Sequence, residues 1–207
     1  MTTTDHSTIV EQDQKKYLAT NPVVRRLIAS WLGELTDLVD THVPADQAFL
    51  DAGAGAGFSL AGFSAGRSVI AADLHLAKIC QVHDRVPQAQ LVAADVTRFP
   101  VPDGAVGWAT SIEVLEHVPA PELLVAELAR VCRDGVIVSV PWEPWFRLGN
   151  LARGKNVARI GNDPEHIGQF GPGSLARLLR RSFTDVSVTR RLPWLLAVAT
   201  GPRQRTP

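Results

Sequence analysis

The sequence predicts an α/β protein built on one doubly wound, mostly parallel sheet of about seven strands with helices on both faces. Three observations predict it. Short apolar runs that end in an acid or a turn alternate with longer stretches of helical periodicity. The first such run is followed at once by glycine at every second position, Gly53, Gly55 and Gly57. The last two apolar runs, residues 186–192 and 194–200, follow each other with hardly a gap, which reads as an antiparallel hairpin closing the sheet.

Each element can be justified in order. Residues 1 to about 10 are polar and read as a frayed start. In the stretch 21–40, Asn21 is suited to cap a helix, Pro22 to open it, and the apolar residues recur at helical spacing. The run 48–53 (AFLDAG) predicts a buried strand, and the glycine turn after it leads into a helix through about Ala65. Residues 68–73 predict a second strand, roughly 76–85 a helix, 89–95 a third strand and 106–114 a fourth. Residues 122–132 predict a helix, 135–141 a fifth strand and 174–183 a further helix before the hairpin. No repeat, low-complexity tract or linker interrupts the pattern, so residues 1–207 are expected to form a single domain.

Composition removes several classes of function. Lys+Arg and Asp+Glu both total 21, giving a formal charge of +0, so the basic footprint of a nucleic-acid-binding protein is missing. Basic pairs such as Arg25-Arg26 and Arg180-Arg181 read as solvated helix faces. Cys80 and Cys132 are the two cysteines and are far apart, which argues against a disulfide framework or a zinc site, and no metal is expected. The first residues lack the apolar core of a signal peptide and no long apolar stretch follows, so the expected location is the cytoplasm, without a membrane span.

In an open α/β sheet, ligands bind outside the carboxyl ends of the strands. Asp51, Asp73 and Asp95 stand at the ends of the first three predicted strands, and Glu113, Glu116 and His117 stand at or just after the end of the fourth. A single strand-end aspartate is commonly a turn former or helix cap. Recurrence at consecutive strand ends beside a glycine turn points instead to a ligand. The glycine spacing then discriminates among nucleotide-like ligands. A dinucleotide fingerprint is G-x-G-x-x-G. Counted from Gly53 its third glycine falls on Phe58, and counted from Gly55 it falls on Leu60. A P-loop is absent as well, because no Gly-Lys-Ser/Thr follows.

The motifs FLDAGAGAG (49–57), VIAAD (69–73), LVAAD (91–95) and SIEVLEHVP (111–119) together resemble the class I S-adenosylmethionine-dependent methyltransferases. The likeness is to the small-molecule branch typified by the ubiquinone-biosynthesis enzymes, and it runs from about Tyr17 to the end of the chain. Ala54 stands where that family commonly has cysteine. The resemblance implies S-adenosylmethionine as cofactor and S-adenosylhomocysteine as product. It implies that Asp51 and the turn Gly53, Ala54, Gly55 and Gly57 receive the methionine part. It places the ribose on Asp73, the adenine between Leu74 and Ile112, and the adenine amino group on Asp95 beside the Val96 amide, with Tyr17 closing over the cofactor. A carboxylate offers two acceptor oxygens to a diol, which suits Asp73 to that task.

Residues 141–173 are too long for a plain connector, and they are read as an insertion that builds the acceptor pocket, with Trp142, Trp145, Phe146 and Phe170 as candidate lining. The same aromatics could equally cap the core of the sheet. His166 is the first candidate for a base that takes a proton from an attacking hydroxyl, and His117 the second. The expected reaction is methyl transfer to oxygen or nitrogen, less readily carbon, of a small and partly apolar metabolite. Two alternatives stand beside it: an NAD(P)-dependent oxidoreductase on a Rossmann-like fold, and a non-catalytic cofactor-binding relative. The acceptor, the oligomeric state and the pathway are not encoded in any motif of this chain.

Overall fold

The computed structural model describes residues 20–142 and 168–203. Among the described residues, seven strands, β1 (Phe49–Ala52), β2 (Val69–Asp73), β3 (Gln90–Ala93), β4 (Val106–Ile112), β5 (Cys132–Pro141), β6 (Phe183–Arg191) and β7 (Trp194–Pro202), run in the order β3-β2-β1-β4-β5-β7-β6. The chain divides into two compact units, Met1–Val96 and Thr97–Pro207.

The first unit opens with α1 (Pro22–His42). Asn21 Oδ1 accepts from the Val23 amide at 2.9 Å, and Pro22 occupies the first helical position, where the missing amide hydrogen costs nothing. Its buried residues, Ile28, Trp31, Leu35 and Val39, recur at three- and four-residue spacing and form one apolar stripe. Next come β1 (Phe49–Ala52), the short α2 (Leu60–Phe63), β2 (Val69–Asp73), α3 (Leu76–Val82) and β3 (Gln90–Ala93). The strands pair in parallel, with Phe49 opposite Val69 and Ile70 opposite Gln90. β1 is buried throughout, as a near-continuous apolar strand in a parallel sheet should be. β3 stands at one end of the order, and three of its four residues are exposed, as befits an edge.

Several boundaries differ from the sequence expectation. The helix after the glycine turn spans Leu60–Phe63 and does not reach Ala65, because Gly66 turns left-handed at φ 73° just beyond. α3 stops at Val82, and residues 83–85 continue as a tighter turn in which the Arg85 amide donates to Val82 O at 3.0 Å. Pro87 follows two residues later and disfavours further helix. β3 ends at Ala93, two residues short of Asp95, and β1 includes Asp51 as an interior residue paired with Ala71.

The second unit contains β4 (Val106–Ile112), a 3-10 turn (Leu115–His117), α4 (Pro121–Val131), β5 (Cys132–Pro141), α5 (Pro172–Leu179), β6 (Phe183–Arg191) and β7 (Trp194–Pro202). β4 and β5 are parallel. β7 returns antiparallel to β5 and pairs with β6 in the expected hairpin. β5 begins at Cys132, three residues before the expected Gly135. Gly135 leaves no room for a side chain: an added Cβ would lie 2.6 Å from Ala199 O and 2.8 Å from the Trp108 ring. Arg130 on α4 ties the preceding loop down, donating to Glu127, to Asp103 and to the carbonyls of Phe99 and Val101.

Candidate functional site

The glycine turn after β1 is left-handed at Gly53 (φ 87°), Gly55 (φ 54°) and Gly57 (φ 80°). Gly53 and Ala54 both donate their amides to Ala72 O, at 2.8 and 2.9 Å, so β1 stays locked to β2 as the turn begins. The glycines then separate in role. An added Cβ on Gly57 would meet the Val82 backbone and side chain at 3.2 Å, so this glycine lets α3 pack against the turn. The Gly55 amide instead donates to Asp73 Oδ2 at 2.9 Å.

Asp73, the last residue of β2, is 9% exposed and is the centre of this arrangement. Its Oδ2 takes the Gly55 amide and its Oδ1 takes the His75 amide at 2.8 Å, an Asx-type turn into α3. The His75 ring nitrogen Nδ1 lies 3.3 Å from the same Oδ1. Each carboxylate oxygen has two lone pairs, so one backbone bond per oxygen leaves acceptor capacity for a diol. Leu74 beside it is 64% exposed, an apolar side chain turned out at the carboxyl end of β2. Asp51 is buried at 1% exposure within β1. Asp95 is exposed and Val96 half-buried, both beyond the end of β3.

In the second unit, Ile112 is buried and ends β4. Glu113 follows at φ 57°, and among the described residues no other non-glycine residue has positive φ. Such backbone is strained for a side-chain-bearing residue. Its amide still donates to Ser139 O at 2.8 Å, and its Oε1 accepts from the indole Nε1 of Trp194 at the start of β7. Glu116, whose place after β4 is also open to reading as a helix-start carboxylate stabilised by the local dipole, is 1% exposed, and its carbonyl accepts from the Gly168 amide at 3.0 Å. Burial, not a helix dipole, is its setting. His117 is exposed on the 3-10 turn.

Trp142 is half-buried, bridges to Phe170 and donates its amide to Pro193 O at 2.8 Å, and the Arg190 guanidinium stands 5.6 Å from its ring centroid. Tyr17, His166, Trp145 and Phe146 lie outside the described residues. Sequence reasoning passed over the bonded state of Asp73, the backbone of Glu113 and the Trp194 indole. The Gly55–Asp73 and Glu113–Trp194 bonds leave no local signal, because their partners lie 18 and 81 residues apart.

The comparisons with known proteins bear on the family and the fold. A methyltransferase-domain family matches residues 50–140. Residues 50–140 are a methyltransferase domain of the S-adenosylmethionine-dependent class. A Mycobacterium tuberculosis protein named "Probable S-adenosylmethionine-dependent methyltransferase" is 32% identical over 160 residues, 75% of this chain and 53% of that protein. The chain thus spans about half the length of the curated relatives it matches. Among solved structures, the magnesium protoporphyrin IX methyltransferase of Synechocystis with bound S-adenosylhomocysteine superposes at TM-score 0.69, with 16% identity and 94% of each chain covered. An S-adenosylmethionine-dependent methyltransferase of Thermotoga maritima does so at 0.67, with 16% identity, covering 95% of this chain and 99% of that one. The family match sets aside the nicotinamide-cofactor alternative that the glycine spacing had already weakened. The ubiquinone-biosynthesis branch is not singled out by these relatives.

Among the described residues, no helix is long and apolar enough to cross a membrane. No group of three or more His, Cys, Asp or Glu side chains among them is placed to hold a metal ion.

Proposed function

We infer that the protein transfers a methyl group from S-adenosylmethionine to an oxygen or nitrogen of a small, partly apolar metabolite. The observation that carries this reading is Asp73, whose two oxygens are fixed by the Gly55 and His75 amides at the end of β2. A pre-oriented two-oxygen acceptor beside a left-handed glycine turn suits a ribose diol with an amino-acid tail.

The bound cofactor supplies a methyl group on a positively charged sulfur, which leaves as a neutral thioether when a nucleophile attacks in line. The chain's own residues chiefly position and exclude water. Asp73 holds the ribose and Leu74 covers one adenine face, while Asp95 and the Val96 amide take the adenine edge. The turn from Gly53 to Gly57, with Asp51 beneath it, receives the methionine part. Trp142 and Phe170 supply apolar surface for an acceptor, and the Arg190 guanidinium near Trp142 adds a cation at its margin.

Incubation with methyl-labelled S-adenosylmethionine and pools of hydroxyl- and amine-bearing metabolites tests the reading. The expected outcome is label in a small organic product with the intact protein and none with Gly55→Val. Retention of all label on the cofactor across the pools, despite S-adenosylhomocysteine binding, would turn the reading toward a non-catalytic relative.

A further inference from the structure

Arg85 lies just beyond α3, in no motif, yet two of its three interactions reach the glycine turn and the third ties it back to α3. Its Nη1 donates to Ala56 O at 3.1 Å and to Gln81 O at 3.1 Å. Its guanidinium carbon sits 3.8 Å from the centroid of the Phe58 ring. Ala56 stands between Gly55 and Gly57, the two left-handed glycines on either side of it. The peptide that joins Ala56 to Gly57 is therefore held at both ends: its carbonyl by Arg85, its amide by Ala54 O at 2.9 Å.

That double hold has a physical purpose. A turn with glycine at every second position has more backbone freedom than one without glycine, and loses more on ordering. Val82 packs against Gly57 and Asp73 takes the Gly55 amide, but neither fixes the Ala56 carbonyl. Arg85 does. A planar guanidinium can stack on an aromatic face and donate in its own plane at once, which an ammonium cannot.

We propose that Arg85 is a positioning residue for the cofactor, holding the 55–58 turn in the one conformation that receives the methionine part. This rests on the cofactor site given under Proposed function. Without the clamp, the competent conformation is a fraction of the ensemble, and apparent affinity falls by that fraction. A tenth left competent means about tenfold weaker binding.

The experiment compares S-adenosylhomocysteine with 5′-methylthioadenosine, which keeps the nucleoside and lacks the amino-acid tail. Both are titrated calorimetrically into the intact protein, Arg85→Met, Arg85→Lys and Phe58→Leu. Arg85→Met should bind S-adenosylhomocysteine about tenfold more weakly while its affinity for 5′-methylthioadenosine stays within about twofold. Arg85→Lys should recover part of the loss, and Phe58→Leu, which keeps the Ala56 bond, should lose less than Arg85→Met. Equal weakening of both ligands, or none, overturns the proposal. If Arg85→Met does not fold, the Phe58→Leu and Arg85→Lys pair decides by the same split between ligands. Failure of the intact protein to bind either ligand would instead overturn the cofactor reading beneath it.

Discussion

Two left-handed turns follow strands of this sheet, and they are built from opposite materials. After β1 the chain uses Gly53, Gly55 and Gly57. After β4 it uses Glu113, which accepts φ 57° while carrying a carboxylate. Glycine suits a turn where bare backbone must meet a ligand or a helix, and it carries no strain there. At Glu113 a side chain is wanted, so the strain is tolerated and offset by the Trp194 indole and the Ser139 carbonyl. The difference teaches how to read such turns. One is announced by composition, and the other is silent until the fold is known.

The largest effect that can break the comparison is at Gly55. Replacing it by valine puts a β-branched residue at φ 54°. Left-handed strain of about 1–2 kcal/mol adds to lost ligand contact, so S-adenosylhomocysteine affinity should fall by roughly 100-fold or more. Calorimetry showing unchanged affinity would mean that these glycines serve packing alone.

Asp73→Ala comes next. It removes the ribose acceptor and leaves the Gly55 and His75 amides without theirs. Affinity for S-adenosylhomocysteine should drop by about 1–3 kcal/mol, and the melting temperature should fall too, because the residue is nearly buried. A variant with normal affinity would reduce Asp73 to a turn residue.

Gly57→Ala should behave differently from Gly55→Val. Its Cβ would press on Val82 at 3.2 Å and its φ of 80° disfavours a side chain. The expected loss is about 1–2 kcal/mol of folding stability, read by urea denaturation. If stability holds while cofactor binding disappears, the division between a ligand glycine and a packing glycine is wrong.

The smallest effect concerns Glu113. Glu113→Gly and Glu113→Ala both lose the Trp194 bond, but only glycine is at ease at φ 57°. The glycine variant should be the more stable of the two by about 1 kcal/mol in urea denaturation. Equal stabilities would show that the backbone there is not strained.

The sequence was legible where local pattern and tertiary burial agree. Asn21 and Pro22 mark the start of α1, continuous apolar runs mark β1, β4 and β5, and the close hairpin marks β6 and β7. It was less legible where one element ends on another. β3 stops short of Asp95, and Glu116 is buried on a 3-10 turn, which its sequence position does not reveal. In the site, the acids and glycines were visible as residue types. Their wiring was not, because the Gly55 amide and Asp73 lie 18 residues apart, and Arg85 reaches Ala56 across 29. Such pairings exist only after β1, β2 and α3 have packed.

The central claim is that the β1–β2 end, with its glycine turn and Asp73, is a site for an S-adenosyl ligand. Calorimetric titration of the intact protein with S-adenosylhomocysteine and, separately, with NADH tests it most directly. The account predicts binding of S-adenosylhomocysteine in the micromolar range, about −8 kcal/mol, and no heat from NADH. Binding of NADH with none of S-adenosylhomocysteine would contradict it.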